Sequence, residues 1–172
     1  MGAKPRPKGH GFERKVARMI EDEFGPGVKA FRTLQADGAY DSDVTVEGDW
    51  LLRSIWWECN TEMSPNPRTK LAQAKRDCER SFERTKLDRL PVAITHKTHS
   101  PTIYVTTYNW VWLSLCAGVM LKHAETIGEL VVQVTWEDFV VVVWRARGRH
   151  VRSLEQGDSI EQIHNGSKTG KA

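Results

Sequence analysis

The chain has 172 residues, a formal net charge of +3 and three cysteines. This length suits one globular domain and is short for two. An odd number of cysteines with no CxxC pair argues against a disulfide framework or a zinc site, and fits a reducing cytoplasm. No apolar run reaches the roughly 20 residues that span a bilayer, and the N-terminus lacks the apolar core of a signal peptide. We therefore expect a soluble, cytoplasmic protein that does not bind membranes.

The basic residues are concentrated in two places. Lys4, Arg6 and Lys8 lie among prolines and glycines at the N-terminus, and the segment 68–86 is dense in lysine and arginine. Local basic patches attract polyanions even when the net charge is small. The plainer interpretation is a solvated helix face together with a flexible arm.

Composition divides the chain into three parts. We predict a disordered basic arm over 1–10, a single folded domain over 11–148, and a polar, mobile tail over 149–172.

Hydrophobic periodicity predicts the elements of the domain in chain order. Helices are predicted over 11–24, 68–86, 108–121 and 139–147, and strands over 28–34, 43–46, 51–59, 91–96, 102–106 and 130–134. The helix over 139–147 is the least clear, because the valines at 140–143 favour a strand while Thr135 and Asp138 form a capping box that favours a helix. The order predicts an α/β fold, with a mixed central sheet flanked by helices.

Two acids are predicted to meet at one rim of this sheet. Asp43 opens one strand and Glu58 ends the next, after a turn at 48–49. In an antiparallel pair joined there, the start of one strand lies near the end of the other, and the carbonyl of Cys59 would lie beside them. Either acid alone is more typical of a solvent-facing strand end. Glu58, however, follows the apolar run 55–57, so its charge needs compensation, which a Mg²⁺ ion held by carboxylates, a carbonyl and waters would supply.

Five short motifs occur in a suggestive order: Gly11-Phe12-Glu13-Arg14, Arg32, Ser42-Asp43-Val44, Trp57-Glu58-Cys59-Asn60, and Leu71-x-Gln73-Ala74. Over residues 11 to 106 the chain resembles the PD-(D/E)XK nuclease superfamily and, more narrowly, the archaeal-type and phage-encoded Holliday junction resolvases. The resemblance implies a restriction-endonuclease-like core and a homodimer that cuts branched DNA with Mg²⁺, or alternatively Mn²⁺, and without a small-molecule cofactor. If the chain is phage-encoded, it would act in the host cytoplasm.

The resemblance also implies roles for individual residues. The acidic site would consist of Glu13, Asp43 and Glu58, with a metal ion held by Asp43, Glu58 and the backbone of Cys59. Nucleic-acid contacts are expected from Lys4, Arg6, Lys8, Arg14, Arg32, Lys70, Gln73 and Lys75.

The chain departs from the family at position 60, where the family has a lysine that orients the attacking water. An asparagine can hold a water molecule but supplies no positive charge. Three explanations compete. Asn60 is itself a working catalytic substitute, a lysine of the next helix such as Lys70 or Lys75 reaches the site, or the chain is catalytically impaired.

Three functions follow as expectations. The first is a junction-resolving endonuclease, whose two-fold symmetry would match that of its substrate. The second is a nuclease of the same superfamily that acts on linear duplex in restriction, repair or recombination. The third is a DNA-binding homologue that has lost catalysis, for which Asn60 is the main support.

Overall fold

A computed structural model describes residues 9–34, 41–117 and 130–155. Most of the predicted basic arm and of the predicted polar tail lies outside these ranges. The elements are α1 (Gly9–Phe24), β1 (Lys29–Arg32), β2 (Val44–Glu47), α2 (Trp50–Ser54), β3 (Ile55–Glu62), α3 (Pro67–Thr85), β4 (Leu90–Lys97), β5 (Ile103–Tyr108), α4 (Asn109–Ala117), β6 (Val131–Thr135) and α5 (Trp136–Glu155). Within the described ranges, no helix combines the length and apolar character needed to cross a bilayer.

The six strands form one sheet in chain order, β1 to β6. Neighbouring strands are antiparallel, except that β3 and β4 are parallel and are joined through α3. A parallel pair requires a crossover of this kind, because a tight turn can connect only antiparallel strands. The mixed sheet with flanking helices confirms the predicted α/β fold class.

Helices cover both faces of the central strand β3. Trp56 is fully buried in a cluster with Ala74 and Cys78 of α3. The next residue, Trp57, makes an edge-on ring contact with Phe139 of α5 at 6.0 Å. Because successive strand residues point to opposite faces, α3 lies on one side of the sheet and α5 on the other.

Arg147 connects the helix α5 to two elements that are distant in sequence. Its Nε donates to Asp49 Oδ2 at 2.8 Å, and its Nη1 donates to the carbonyl oxygen of Phe24 at 3.3 Å. Asp49 also caps α2, since its Oδ1 accepts a bond from the N–H of Leu52. The guanidinium lies 4.6 Å from the centre of the Trp144 ring. Through these contacts α5 holds the end of α1 and the start of α2.

The segment 51–54, predicted as the first part of a strand, is instead the short helix α2. The side chain of Asp49 caps the helix by accepting the N–H of Leu52. This N–H belongs to the first turn, where backbone donors have no partner within the helix. Leu51 and Leu52 are both buried, so their apolar character indicates burial and not a strand. The strand β3 therefore begins at Ile55, and it continues past the predicted end to Glu62.

The spacing of Leu71, Ala74, Cys78 and Phe82 predicts that they form the buried face of α3, and Trp144 is predicted to lie in the core, but Phe82 and Trp144 are not buried. Phe82 is 45% exposed, and Ser81 takes its place on the inner face of α3. Trp144 is 46% exposed.

The four valines at 140–143 lie in helix α5, as the capping box predicts. The N–H of Asp138 donates to Thr135 Oγ1 at 3.2 Å, and this hydroxyl in turn bonds to the carboxylate of Asp138. The helix does not end at Gly148 but continues to Glu155.

We predict that Gly48→Ala destabilises the fold by more than about 2 kcal/mol, because Gly48 has a positive φ of 85° and any Cβ would lie 1.7 Å from the carbonyl oxygen of Gly27. Gly25→Ala is the matched control. It has a similar φ of 79° but no atom within 4 Å of its Cβ position, so it should lose only the backbone cost of about 1 kcal/mol. Urea unfolding measures both variants, and equal losses would contradict the steric argument.

Candidate active site

The pairing of β2 with β3 brings Asp43 and Glu58 together. Val44 is the partner of Trp57 in the antiparallel register, and the adjacent residues Asp43 and Glu58 line the same cleft. The N–H of Asp43 donates to the carbonyl oxygen of Trp57 at 2.9 Å. The carboxylate of Asp43 accepts the N–H of Cys59 at 2.7 Å. The two acids thus meet as the sequence predicts, although α2 connects their strands in place of a tight turn.

Lys70 of α3 reaches into this site. Its Nζ donates to Glu58 Oε1 at 3.1 Å and to Gln73 Oε1 at 3.0 Å. The side chain of Glu58 is only 5% exposed and that of Lys70 is 26% exposed. The helix α3 therefore places the positive charge of Lys70 beside the buried Glu58, and the Gln73 amide oxygen holds the Lys70 ammonium in position.

Glu13 of α1 and Arg32 of β1 form a second ion pair at the same site. Arg32 Nε donates to Glu13 Oε2, and both side chains are largely buried. The two charges also act on Asp43: that of Glu13 raises its pKa and that of Arg32 lowers it. Both groups are therefore close to the aspartate.

The three acids, Lys70 and Gln73 line a cleft of about 390 Å³ at the end of β3, and Arg32 reaches it only through its bond to Glu13. It is lined by Phe12, Glu13, Asp43, Glu58, Cys59, Asn60, Thr61, Glu62, Lys70 and Gln73. Phe12, Thr61 and Glu62 were not predicted as site residues. Period-two alternation along β3 could have identified Glu62, because residues 58, 60 and 62 share one face of a strand.

Some predicted residues lie elsewhere. Arg14 is exposed and is not among the residues that line the cleft. Lys75 points away from the acids, with its ammonium 5.5 Å from the centre of the Tyr108 ring. Lys4, Arg6 and Lys8 lie outside the described residues.

Burial controls the electrostatics of the acids. Burial, opposed by the hydrogen bond from the N–H of Cys59 and assisted by the charge of Glu13, raises the pKa of Asp43 from the usual 3.8 to about 6. Burial and the charge of Asp43 raise the pKa of Glu58 from 4.5 to about 7, against the opposing effect of Lys70. Both carboxylates thus hold their negative charge at a cost that a bound cation would relieve.

Cys59 contributes its backbone and not its thiol. Burial, together with the charges of Asp43 and Glu58, raises the pKa of the thiol well above its usual value. A thiol held neutral in this way is a poor metal ligand, because the thiolate is the binding form.

The donor set fits a hard cation such as Mg²⁺, which takes oxygen ligands and is commonly held by one or two carboxylates plus water. The contacts with Cys59 and Lys70 use Asp43 Oδ2 and Glu58 Oε1, so each carboxylate keeps a second oxygen for an ion. Among the described residues, no three His, Cys, Asp or Glu side chains converge closely enough to hold a metal ion. The geometry therefore supports a two-carboxylate site, with Glu13 held aside by Arg32.

A larger cavity of about 770 Å³ lies along β2 and α2, lined by residues that include Thr45, Glu47, Trp50, Arg53 and Arg89. The smaller cleft is the better candidate site, because it contains the desolvated carboxylates together with a lysine and an amide.

Comparisons of the chain with protein-family models, with curated proteins and with solved structures found no match.

The raised pKa values predict how stability changes with pH when no divalent cation is present. A carboxyl group whose folded pKa is raised favours the fold below its unfolded pKa, and that contribution is lost as pH rises through the folded value. For Asp43 and Glu58 the loss should fall between about pH 4 and pH 7. We compare the free energy of unfolding of the Asp43→Asn/Glu58→Gln variant with that of the wild type at each pH. The difference, variant minus wild type, should be larger at pH 8 than at pH 4 by on the order of 2 kcal/mol.

Chemical unfolding in EDTA at the two pH values measures this difference. Glu47→Gln is the control, because Glu47 is an exposed carboxylate on the same strand as Val44 and should leave the pH dependence unchanged. If the stability of the double variant shows the same pH dependence as that of the wild type, Asp43 and Glu58 do not have raised pKa values in the folded protein.

Proposed function

We propose that the protein is a Mg²⁺-dependent DNA endonuclease of the PD-(D/E)XK type. The observation that carries the proposal is that the buried carboxylate of Glu58, the half-buried carboxylate of Asp43 and the ammonium group of Lys70 line one cleft. Hydrolysis of a phosphodiester requires groups that neutralise charge on the phosphate and that position a water molecule for attack. A cleft that combines carboxylates, a lysine and amides is suited to both tasks.

The residues divide these tasks. Asp43 and Glu58 would hold Mg²⁺, which supplies charge neutralisation and activation of water when it is bound. The N–H of Cys59 fixes the orientation of the Asp43 carboxylate. Lys70 would stabilise negative charge that develops on the phosphate, and Gln73 holds the ammonium in place.

Lys70 is our candidate for the function that the family assigns to a lysine at position 60. Asn60 lines the same cleft and lies two residues after Glu58, on the same face of β3. A lysine delivered from α3 would supply the charge that Asn60 lacks. This arrangement favours an active enzyme over an impaired homologue.

The proposed substrate is branched DNA, cut by a homodimer in the cytoplasm. This part rests on the likeness to Holliday junction resolvases and on symmetry, since a two-fold dimer suits a two-fold junction. Exposed Arg68, Arg76 and Arg80 on α3 would add salt-dependent contacts with phosphate that do not depend on base sequence.

We predict that Asp43→Asn and Glu58→Gln each lower Mg²⁺-dependent cutting by at least about 100-fold and leave DNA binding nearly intact, because they remove metal ligands and not phosphate contacts. A labelled four-way junction, compared with its linear arms at equal length, measures cutting and identifies the preferred substrate. Glu47→Gln is the control that keeps full activity. Undiminished cutting by both site variants would remove these acids from the mechanism, and equal cutting of junction and arms would favour a duplex nuclease.

We further predict that Lys70→Ala lowers cutting by about 100-fold and that adding Asn60→Lys restores much of the loss, because the new ammonium would enter the same cleft. Lys75→Ala serves as the matched control on the same helix, since its ammonium lies over Tyr108 and should not affect the chemistry. Single-turnover rates on the cleaved substrate measure all three. A well-folded double variant with no recovery would contradict the proposed exchange of lysine position.

A further inference from the structure

Glu13 lines the cleft, but its carboxylate is already bound by another side chain. Its carboxylate accepts the Nε–H of Arg32, and the two side chains are 14% and 19% exposed. Arg32 is the last residue of β1, and Glu13 lies on the second turn of α1. The contact therefore joins the edge strand β1 to the helix α1, and its Glu13 side lines the cleft.

The same contact limits what the site can offer a cation. Only Asp43 and Glu58 are placed to act together, since no third His, Cys, Asp or Glu side chain joins them among the described residues. Glu13 is close enough for its charge to affect Asp43, yet its own carboxylate is engaged by a guanidinium. Release of Glu13 would supply a third carboxylate.

A phosphate group is a competitor for Arg32. The planar guanidinium donates several parallel N–H bonds, and phosphate accepts them at least as well as a carboxylate does. A nucleic acid entering the cleft would bring such a group to the acidic site. Rotation of a glutamate side chain between staggered rotamers is an inexpensive change.

We propose that Arg32 and Glu13 form a latch that substrate phosphate opens, so that Glu13 joins Asp43 and Glu58 around the cation only when nucleic acid is bound. This inference rests on the proposed function and adds regulation to the same site. Its consequence is cooperative binding, because two ligands that favour the same arrangement must strengthen each other's affinity by the same factor. Metal held weakly by the free protein would be held firmly in the complex with DNA.

A double-mutant cycle measured without nucleic acid tests the latch. The Kd for Mn²⁺, used as a probe of the Mg²⁺ site, is determined by electron paramagnetic resonance for the wild type, Glu13→Gln, Arg32→Gln and the double variant. With Arg32 present, Glu13→Gln should change the Kd by less than about twofold, because Glu13 is engaged. With Arg32 replaced, the same change should weaken binding by about tenfold, within the usual range of coupling between sites.

The cycle separates the latch from simple charge effects. Arg32→Gln removes a positive charge and strengthens cation binding for that reason alone. This gain is the same in the Arg32→Gln variant and in the double variant, so it cancels when the two are compared. Only release of Glu13 makes the effect of Glu13→Gln depend on residue 32. Where Arg32→Gln does not fold, as judged by circular dichroism, Arg32→Leu repeats the cycle.

A second measurement uses nucleic acid. Binding of a four-way junction is compared in EDTA and in Ca²⁺, which takes the same oxygen ligands, at one fixed ionic strength because phosphate contacts depend on salt. Ca²⁺ should strengthen junction binding about tenfold more for the wild type than for Glu13→Gln.

The outcomes distinguish the latch from the site itself. An equal effect of Glu13→Gln in both backgrounds, with Mn²⁺ binding still dependent on Asp43, overturns the latch and leaves the proposed function standing. Absence of Mn²⁺ binding in the wild type and in Arg32→Gln overturns the metal site, and the latch with it. If the effect of Glu13→Gln on the Kd for Mn²⁺ is about tenfold larger when Arg32 is replaced, the latch is supported whether or not the protein cuts DNA.

Discussion

The antiparallel pairing of β2 with β3 is the contact on which the candidate site depends. It places Val44 opposite Trp57 and brings the adjacent residues Asp43 and Glu58 into one cleft. A shift of the register by one residue would turn Asp43 to the other face of the sheet. Asp43 helps to prevent that shift, because its N–H bonds to Trp57 and its carboxylate bonds to the N–H of Cys59. The same aspartate therefore stabilises the strand register and supplies oxygen atoms to the candidate site.

Ion pairs make this concentration of acids tolerable. Glu58 is paired with Lys70 and Glu13 with Arg32, while Asp43 bonds to a backbone amide. Even so, burial keeps the pKa values of Asp43 and Glu58 above their usual range. Carboxylates buried at an energetic cost are typical of sites selected for binding or catalysis and not for stability.

The sequence predicted the parts of the fold that depend on strong local patterns. The amphipathic helices α1 and α3 and the position of Asp43 near Glu58 followed from periodicity and strand order. The helix α2 did not, because Leu51 and Leu52 are apolar enough for a strand and only the cap from Asp49 favours the helix. Periodicity also cannot identify the exact position of a helix edge, so Ser81 and not Phe82 faces the sheet.

The site was predicted incompletely for a related reason. Acids on paired strands can be inferred from turn and strand positions, but the reach of a side chain from a helix requires the packing of that helix. Lys70 and Lys75 were equal candidates in the sequence, and the helix rotation directs one to Glu58 and the other to Tyr108. The pairing of Arg32 with Glu13 joins residues 19 positions apart, and no local pattern encodes it.

The contacts of Arg147 have a consequence for the order in which the protein forms during synthesis. This residue bonds to Asp49 across 98 positions and to Phe24 across 123. A nascent chain that has not yet exposed residue 147 lacks both bonds, so the end of α1 and the start of α2 are not yet anchored to α5. Because domains fold as units, we expect the arrangement that carries Glu13 and Glu58 to gain this anchor only after α5 has been synthesised.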